Sequence, residues 1–204
     1  MKTLSLLISC EHAVNSVPDS YQQYFSDHQA LLETHRGIDF GALATALYLS
    51  QSFDCDLIKA RISRLVIDCN RSLNHPNCFS EISTLFSEAE QLAIIEMYYL
   101  PYRHAVEEHV QNKIKTGHCV LHLSIHSFTP VWEGVERTAD IGFLYDPKRP
   151  LEKQFVLEWQ KQLKTHNAPF RVRRNYPYVG YSDGLTTSLR KLFSADDYVG
   201  IEVE

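Results

Sequence analysis

The sequence lacks an excess of positive charge, a cysteine pattern and any long apolar run. Its 204 residues carry 20 Lys and Arg against 25 Asp and Glu, so nucleic acid is not the expected partner, because binding phosphates needs a basic face. The five cysteines are odd in number and contain no Cys-x-x-Cys spacing, which predicts no disulfide framework and favours a reducing cytoplasm. No stretch approaches the roughly 18 apolar residues of a membrane span, so we expect no membrane contact.

Several catalytic signatures are missing as well. The chain contains no Gly-rich phosphate loop, no Gly-x-Ser-x-Gly nucleophile turn and no His-Glu-x-x-His zinc motif. A catalytic site must therefore be assembled from dispersed residues. The segment from Met1 to Cys10 faintly resembles a lipoprotein signal, but its apolar part is short, and we interpret it as the first strand.

Short apolar runs alternate with helical patterns along the chain, which predicts an α/β fold. Continuous apolar runs suit a mostly parallel or mixed sheet that is buried on both faces, so we expect one three-layer domain over residues 1–204 with helices on both faces. The polar stretch 71–85 is expected to be a long loop beside the site. The predicted strands are 3–10, 55–60, 64–69, 119–126, 140–145, 170–174 and 198–203, and the predicted helices are 38–51, 86–115 with a break at Pro101, 150–165 and 184–193.

Three of the predicted strands end in side chains that bind metals or protons. The first is followed by Glu11 and His12, a middle strand ends at His126, and the last contains Glu202 and precedes Glu204. Ligands of open α/β sheets sit at the carboxyl ends of the strands. We therefore expect these residues to form one active site.

Hydrolytic zinc is commonly held by three His and carboxylate ligands, with water in the fourth position. His12 and His126 supply two such ligands, and Asp39, where a helix is predicted to begin, supplies a carboxylate. Glu11 is a rival ligand to Asp39. Two alternatives stay open: Asp39 is a first-turn acid favoured by the helix dipole, and a single histidine at a strand end is often only structural.

Glu202 and Glu204 fall on the same face of the last strand because successive strand residues alternate. A frayed, solvated end explains two acids there. A general base facing the cleft explains them equally well, because a catalytic water needs a carboxylate within hydrogen-bond reach.

Arginines supply a possible anion site. Arg64 begins the segment that ends in Asp68, Asn70 and Arg71, and Arg137 stands before another predicted strand. A guanidinium group binds a carboxylate in a bidentate manner, so these residues favour an anionic substrate. The alternative is that Arg64 or Arg71 pairs with Asp68 in a structural network.

Six short motifs follow one another along nearly the whole chain and together resemble the N-formylglutamate amidohydrolase family. They are Cys-Glu11-His12-Ala-x-Asn15-x-Val-Pro18, His35-x-Gly-x-Asp39-x-Gly-Ala42, Ser-Arg64-x-Val-Ile-Asp68-x-Asn70-Arg71, Ser-Ile-His126-Ser127-Phe-Thr-Pro130, Arg137-x-x-Asp140-Ile-Gly142 and Asp183-Gly184-Leu-Thr186.

The resemblance implies a phosphorylase/hydrolase-like fold, of the kind found in zinc exopeptidases. It also implies one zinc ion per chain and hydrolysis of a small acidic N-acyl amino acid. The type reaction converts N-formyl-L-glutamate and water to formate and L-glutamate, a step of histidine degradation. Carried onto this sequence, the metal ligands are His12, Asp39 and His126, the base is Glu204 with Glu202 beside it, and the substrate-binding residues are Arg64, Asn70, Arg71 and Arg137.

Two other functions stay open on the same fold. A zinc amidase acting on cell-wall peptide or another acyl amide predicts a longer, more open groove. A binding protein that has lost catalysis predicts no bound zinc. The sequence leaves the acyl group, the amino acid and the oligomeric state open.

Overall fold

A six-stranded sheet runs through the centre of the protein, in a computed structural model that describes residues 2–166 and 169–204. The strands are β1 Thr3–Cys10, β2 Asp56–Lys59, β3 His118–Ile125, β6 Ile141–Leu144, β7 Val172–Arg174 and β8 Tyr198–Val203, with β4 Val131–Trp132 and β5 Val135–Glu136 in a separate hairpin. The strand order in the sheet is β2-β1-β3-β8-β6-β7, and every neighbouring pair is parallel except β6 and β8. The mostly parallel, mixed sheet expected from the sequence is confirmed.

Helices cover both faces of the sheet. On one face, the second and fifth helices pack against β1, β3 and β8, with Ala46 and Val156 in the apolar contact. On the other face, Val106 of the fourth helix and Leu189 of the sixth belong to a second apolar cluster. No helix of the described residues is long and apolar enough to cross a membrane. The α-helices are α1 Gln29–Leu32, α2 Ala42–Phe53, α3 Glu88–Ile94, α4 Leu100–Lys115, α5 Pro150–Thr165 and α6 Leu185–Leu192.

The long predicted helix over 86–115 is interrupted where its proline led us to expect a break. Ser87 and Glu90 form the capping box of α3. A wider π-helical turn, Ile95–Tyr99, then leads into α4, which carries Pro101 in its first turn. Proline cannot donate the backbone hydrogen bond that continues a regular helix, and the wider turn directly before Pro101 is where the regular bonding pattern changes.

The predicted strand over 64–69 is wrong. Successive turns occupy this segment, for example through the bond from Val66 N to Ser63 O at 2.9 Å. Leu65, Val66 and Ile67 are nevertheless buried in the core. An apolar run indicates burial, and it indicates a strand only when another strand is available for backbone pairing. A 3₁₀ helix over Asp19–His28 was also not predicted.

A buried ion pair ties α5 and α6 to the central strand. Glu152 is fully buried, and its Oε1 accepts a hydrogen bond from Arg190 Nε at 2.9 Å. Arg149 Nε forms an ion pair with the same oxygen at 3.2 Å. Arg190 also donates to the carbonyl oxygen of Gly200 in β8 at 2.8 Å. Charges are rarely buried unless they are paired in this way.

We expect Glu152→Gln to lower the free energy of unfolding by about 3 kcal/mol, since it leaves two buried guanidinium groups without a counter-charge. Urea unfolding followed by circular dichroism measures this. Glu158→Gln on the same helix is the control, because Glu158 is more than half exposed and should cost less than about 0.5 kcal/mol. Equal effects for the two variants would contradict the structural role of Glu152.

Candidate metal centre and active-site cleft

Three neighbouring parallel strands bring the predicted site residues to one edge of the sheet. β1, β3 and β8 lie side by side, so the residues after their carboxyl ends meet. His12 follows β1, His126 follows β3, and the His126 amide donates to the Val203 carbonyl of β8 at 2.8 Å. The loop before α2 joins them, because the Asp39 amide donates to the His12 carbonyl at 3.1 Å.

His12, Asp39 and His126 form one buried cluster of possible metal ligands. Asp39 Oδ2 lies 3.1 Å from His12 Nδ1 and 2.9 Å from His126 Nδ1. One ligand atom from each residue lies within 4.8 Å of the others. Asp39 precedes the first residue of α2 by three positions and faces the histidines. It therefore does not serve as a first-turn acid.

The other ring nitrogen of each histidine binds a second buried carboxylate. His12 Nε2 lies 2.8 Å from Asp68 Oδ1, and His126 Nε2 lies 3.0 Å from Glu11 Oε2. Glu11 is thus behind His126 rather than between the two rings. Histidines that bind metals usually donate their second N–H to a carboxylate in this manner, which fixes the ring and its tautomer.

Hydrogen bonds and neighbouring charges together outweigh burial in setting the pKa values of this cluster. Burial opposes the charge on Glu11, but hydrogen bonds from His126, Ser124 and Tyr102 outweigh it and hold the Glu11 pKa below its usual value. Burial also lowers the pKa of His126, yet the bonds to Asp39 and Glu11 raise it well above normal. Burial likewise opposes the charge on Asp39, but His12 and His126 hold its pKa well below the usual value. The ligand carboxylate is therefore ionised, and a bound metal ion would replace the protons on the histidine nitrogens that face it.

Arg64 faces the acidic cluster. Its guanidinium lies 3.3 Å from Asp39 Oδ1 and 3.0 Å from Asp68 Oδ2. The ion pair with Asp68, which the sequence left as an alternative, is present. Two of the five N–H donors of Arg64 are engaged, and the two carboxylates balance its charge, so it attracts an anion less strongly than an arginine without acidic partners.

Asn70 and Arg71 connect the cluster to the segment before α6. Asn70 Oδ1 accepts from the Leu185 amide at 2.7 Å, and Arg71 Nη1 donates to the Asp183 carbonyl at 2.7 Å. Both residues line the cleft. Beyond this bond, Arg71 has no hydrogen bond or ion pair from its side chain within the described residues, so donors remain for an anion.

Arg137 lies in an aromatic cage. Its guanidinium carbon is 5.2 Å from the Tyr178 ring centre, 5.3 Å from that of Phe128 and 5.7 Å from that of Trp132. The side chain donates to Tyr178 Oη at 3.1 Å, while its buried Nη1 has no partner among the described residues. A buried N–H without a partner is costly and is a natural attachment point for a ligand.

Glu202 and Glu204 share a face of β8 but have different surroundings. Glu202 Oε1 accepts from Thr186 Oγ1 at 2.7 Å, whereas the buried Glu204 Oε2 has no partner among the described residues. The Glu204 backbone pairs with Gly142 at 2.9 and 3.0 Å, so this residue is not frayed. Burial raises the pKa of Glu204 to about 7.

These residues surround a cleft of about 730 Å³. His12, Asp39, His126 and both glutamates line its floor, and Phe79, Phe128, Trp132 and Tyr178 contribute aromatic walls. Sequence reasoning missed the contact of Asp68 with His12 and the roles of the polar residues buried behind His126. The available signal for the latter was the polar positions Ser9, His122 and Ser124 inside otherwise apolar strands.

We expect His12→Ala and Asp39→Asn to abolish stoichiometric zinc binding, because each removes one of three converging ligands. Metal analysis after dialysis, with direct titration of zinc, checks this. His104→Ala is the control, since His104 is exposed on α4. Full zinc content in both site variants would exclude this cluster as the metal centre.

The chain is similar in sequence and in fold to known proteins of one family. Residues 4–203 match the family described as N-formylglutamate amidohydrolase. The crystal structure of gene product Atu2144 from Agrobacterium tumefaciens is 32% identical, with a TM-score of 0.82 over 98% of this chain and 79% of that one. An N-formylglutamate amidohydrolase from Ralstonia eutropha JMP134 shares the fold at 18% identity, with a TM-score of 0.64 over 100% of this chain and 82% of that one. No curated protein matches the chain.

Proposed function

The chain belongs to the N-formylglutamate amidohydrolase family, and we propose that it is a zinc-dependent enzyme that hydrolyses the amide of a small acidic N-acyl amino acid. The reaction adds water to the acyl carbon, breaks its bond to nitrogen and releases a carboxylic acid and an amino acid. N-formyl-L-glutamate is the first substrate to test. The observation that carries the proposal is the His-Asp-His cluster beside a buried carboxylate without a partner.

The donor set suits zinc. His12 and His126 would bind the ion through Nδ1, and Asp39 would bind it through Oδ2, because these three atoms converge. Nitrogen and carboxylate oxygen ligands in this number are typical of hydrolytic zinc sites. A bound zinc ion supplies positive charge that polarises the scissile carbonyl and makes water more acidic.

Glu204 is the proposed general base. Its Oε2 atom accepts the proton of the attacking water and returns it to the nitrogen of the leaving amino acid. Two facts support Glu204 over Glu202: Oε2 of Glu204 has no partner in the described structure, and a Glu202 oxygen is already bonded to Thr186.

Arg71 and Arg137 are the proposed receptors of the substrate carboxylates. Both have donors that no other described residue engages, and N-formylglutamate carries two carboxylates. Arg64 instead balances the charges of Asp39 and Asp68. Asn70 holds Asp68 in place through its backbone N–H, which donates to Asp68 Oδ1 at 2.9 Å. Orientation by such contacts lowers the entropic cost of reaction.

We expect Glu204→Gln to lower kcat by about 100- to 10,000-fold, because the amide cannot accept the proton. Wild-type kcat/KM should fall as the pH drops through the pKa of Glu204, about 7 without metal and lower beside a cation. This acidic limb should be missing in the variant. Steady-state kinetics with formate detection across pH measures both.

Glu202→Gln is the matched comparison for that experiment. It should reduce kcat less than Glu204→Gln does, because Glu202 is already engaged by Thr186. A larger loss in Glu202→Gln would assign the base to Glu202. Zinc content must stay at the wild-type level in both variants, so that lost metal does not account for lost rate.

We expect Arg71→Lys and Arg137→Lys to lower kcat/KM for N-formylglutamate by roughly 10- to 100-fold, since lysine cannot form a bidentate pair with a carboxylate. N-formylglutamine lacks the side-chain carboxylate. Replacing the arginine that binds this carboxylate should therefore lower kcat/KM less for N-formylglutamine than for N-formylglutamate. Arg36→Lys is the control, because Arg36 pairs with Glu81 on the exposed rim. Equal losses on both substrates for both arginines would contradict the assignment.

The same assays test the alternative functions. Release of product from muropeptides, with none from N-formyl amino acids, would favour a cell-wall amidase. Zinc-free protein without turnover would favour a binding role. Location in the cytoplasm and a place in histidine degradation belong to this proposal and depend on N-formylglutamate being the substrate.

A further inference from the structure

A chain of buried polar side chains lies behind His126, on the sheet face opposite α2 and α5. His122 Nδ1 is 2.8 Å from Tyr198 Oη, and His122 Nε2 is 2.7 Å from Ser9 Oγ. Ser9 Oγ donates to Glu11 Oε1 at 2.7 Å, and Glu11 Oε2 lies 3.0 Å from His126 Nε2. We call the series Tyr198, His122, Ser9 and Glu11 the polar relay.

The chemistry of its members allows one direction of hydrogen bonding. The Glu11 carboxylate accepts hydrogen bonds from the hydroxyl groups of Ser9, Tyr102 and Ser124, so the Ser9 proton points toward it. The Ser9 oxygen then accepts from His122 Nε2–H, which leaves His122 Nδ1 to accept from Tyr198 Oη–H. Burial lowers the pKa of His122 to about 4, in keeping with a neutral ring. Every donor in the polar relay therefore points toward Glu11.

The fixed position of the Glu11 carboxylate determines the orientation of the His126 ring. Its two oxygens also accept from Tyr102 Oη at 2.6 Å and from Ser124 Oγ at 2.6 Å. A carboxylate held by three hydroxyl groups cannot rotate to follow the histidine. Because the Ser124 hydroxyl donates to Glu11, its oxygen is left to accept from His126 Nε2 at 3.0 Å, and Glu11 Oε2 lies 3.0 Å from the same nitrogen. The proton of His126 is thus fixed on Nε2, and Nδ1 faces Asp39.

The backbone makes room for the polar relay. His122 and Gly200 are register partners on β3 and β8. A Cβ atom at Gly200 would lie 2.6 Å from Tyr198 Oη, so only glycine there lets the Tyr198 ring fold over its own strand toward His122. Ser9, His122 and Tyr198 are all fully buried. Polar groups at such positions cost stability compared with apolar ones unless all their bonds are made.

We propose that the polar relay is a positioning device that holds Glu11 and thereby fixes the tautomer and orientation of His126 for metal binding. The inference rests on the proposed function in one respect, the identity of His126 as a metal ligand. Its members are positioning residues, because none of them is among the residues that line the cleft. Removing an outer partner of a metal ligand typically lowers metal affinity by about 10- to 100-fold.

The test compares zinc dissociation constants of the purified full chain by competition with a chelator. Ser9→Ala interrupts the polar relay with the smallest change in volume and should weaken zinc binding by about 10- to 100-fold. Tyr198→Phe removes only the last hydroxyl and should weaken it less. His118→Phe is the control: His118 lies on the same strand, four residues before His122, and should leave affinity unchanged.

A structural role and a positioning role give different results here. If the polar relay positions His126, turnover of Ser9→Ala returns toward the wild-type value at saturating zinc. Nitrogen-15 NMR should show wild-type His122 as a neutral ring protonated on Nε2. Unchanged zinc affinity in a folded Ser9→Ala variant, or a His122 ring protonated on Nδ1, would overturn the proposal.

Failure of the proposed reaction has a separate signature. Wild-type protein that binds zinc and cleaves no N-formyl amino acid would remove the substrate assignment, while the affinity ratio of Ser9→Ala to wild type still decides the polar relay. Wild-type protein that binds no zinc would overturn both.

Discussion

Five carboxylates crowd the carboxyl edge of β1, β3 and β8, and the site depends on how their mutual repulsion is balanced. Neighbouring carboxylates in a buried site cannot all stay ionised unless positive charges or hydrogen-bond donors face them. Arg64 and the two histidines provide the positive charge on the side of the cleft. The carboxylates are Glu11, Asp39, Asp68, Glu202 and Glu204.

Positive charges and hydrogen-bond donors are distributed unevenly among the five carboxylates, and this difference separates their proposed roles. Asp39, Asp68 and Glu11 have pKa values held low by histidines, hydroxyl groups or Arg64, so they are fixed acceptors. The buried Oε2 of Glu204 has no hydrogen-bond donor among the described residues, and burial raises the pKa of Glu204 to about 7. A carboxylate that ionises near neutral pH can both take and return a proton, which a fixed acceptor does poorly. Structural and catalytic carboxylates are thus distinguished by their partners.

The sequence predicted the strands that carry the site, because continuous apolar runs buried on both faces of a sheet are a local property. It failed at 64–69, where an equally apolar run is buried in turns instead of in the sheet. Both edges of β1 and of β3 are already paired with other strands, so neither is available to segment 64–69. A local sequence pattern does not contain this information. The contact between His12 and Asp68 was missed for the same reason, since this segment's course decides where Asp68 lies.

The two acids considered as metal ligands show how the folded structure resolves what sequence spacing leaves open. Glu11 and His12 are adjacent in the turn after β1, but their side chains have different partners. Glu11 accepts from Ser9, two residues before it, and lies behind His126, whereas His12 faces Asp39. Asp39, 27 residues from His12, reaches the front of both rings because its amide hydrogen-bonds to the His12 carbonyl. His12 and Asp39, which are distant in sequence, thus belong to the group of possible metal ligands. Glu11, which is next to His12 in sequence, instead supports His126 from behind.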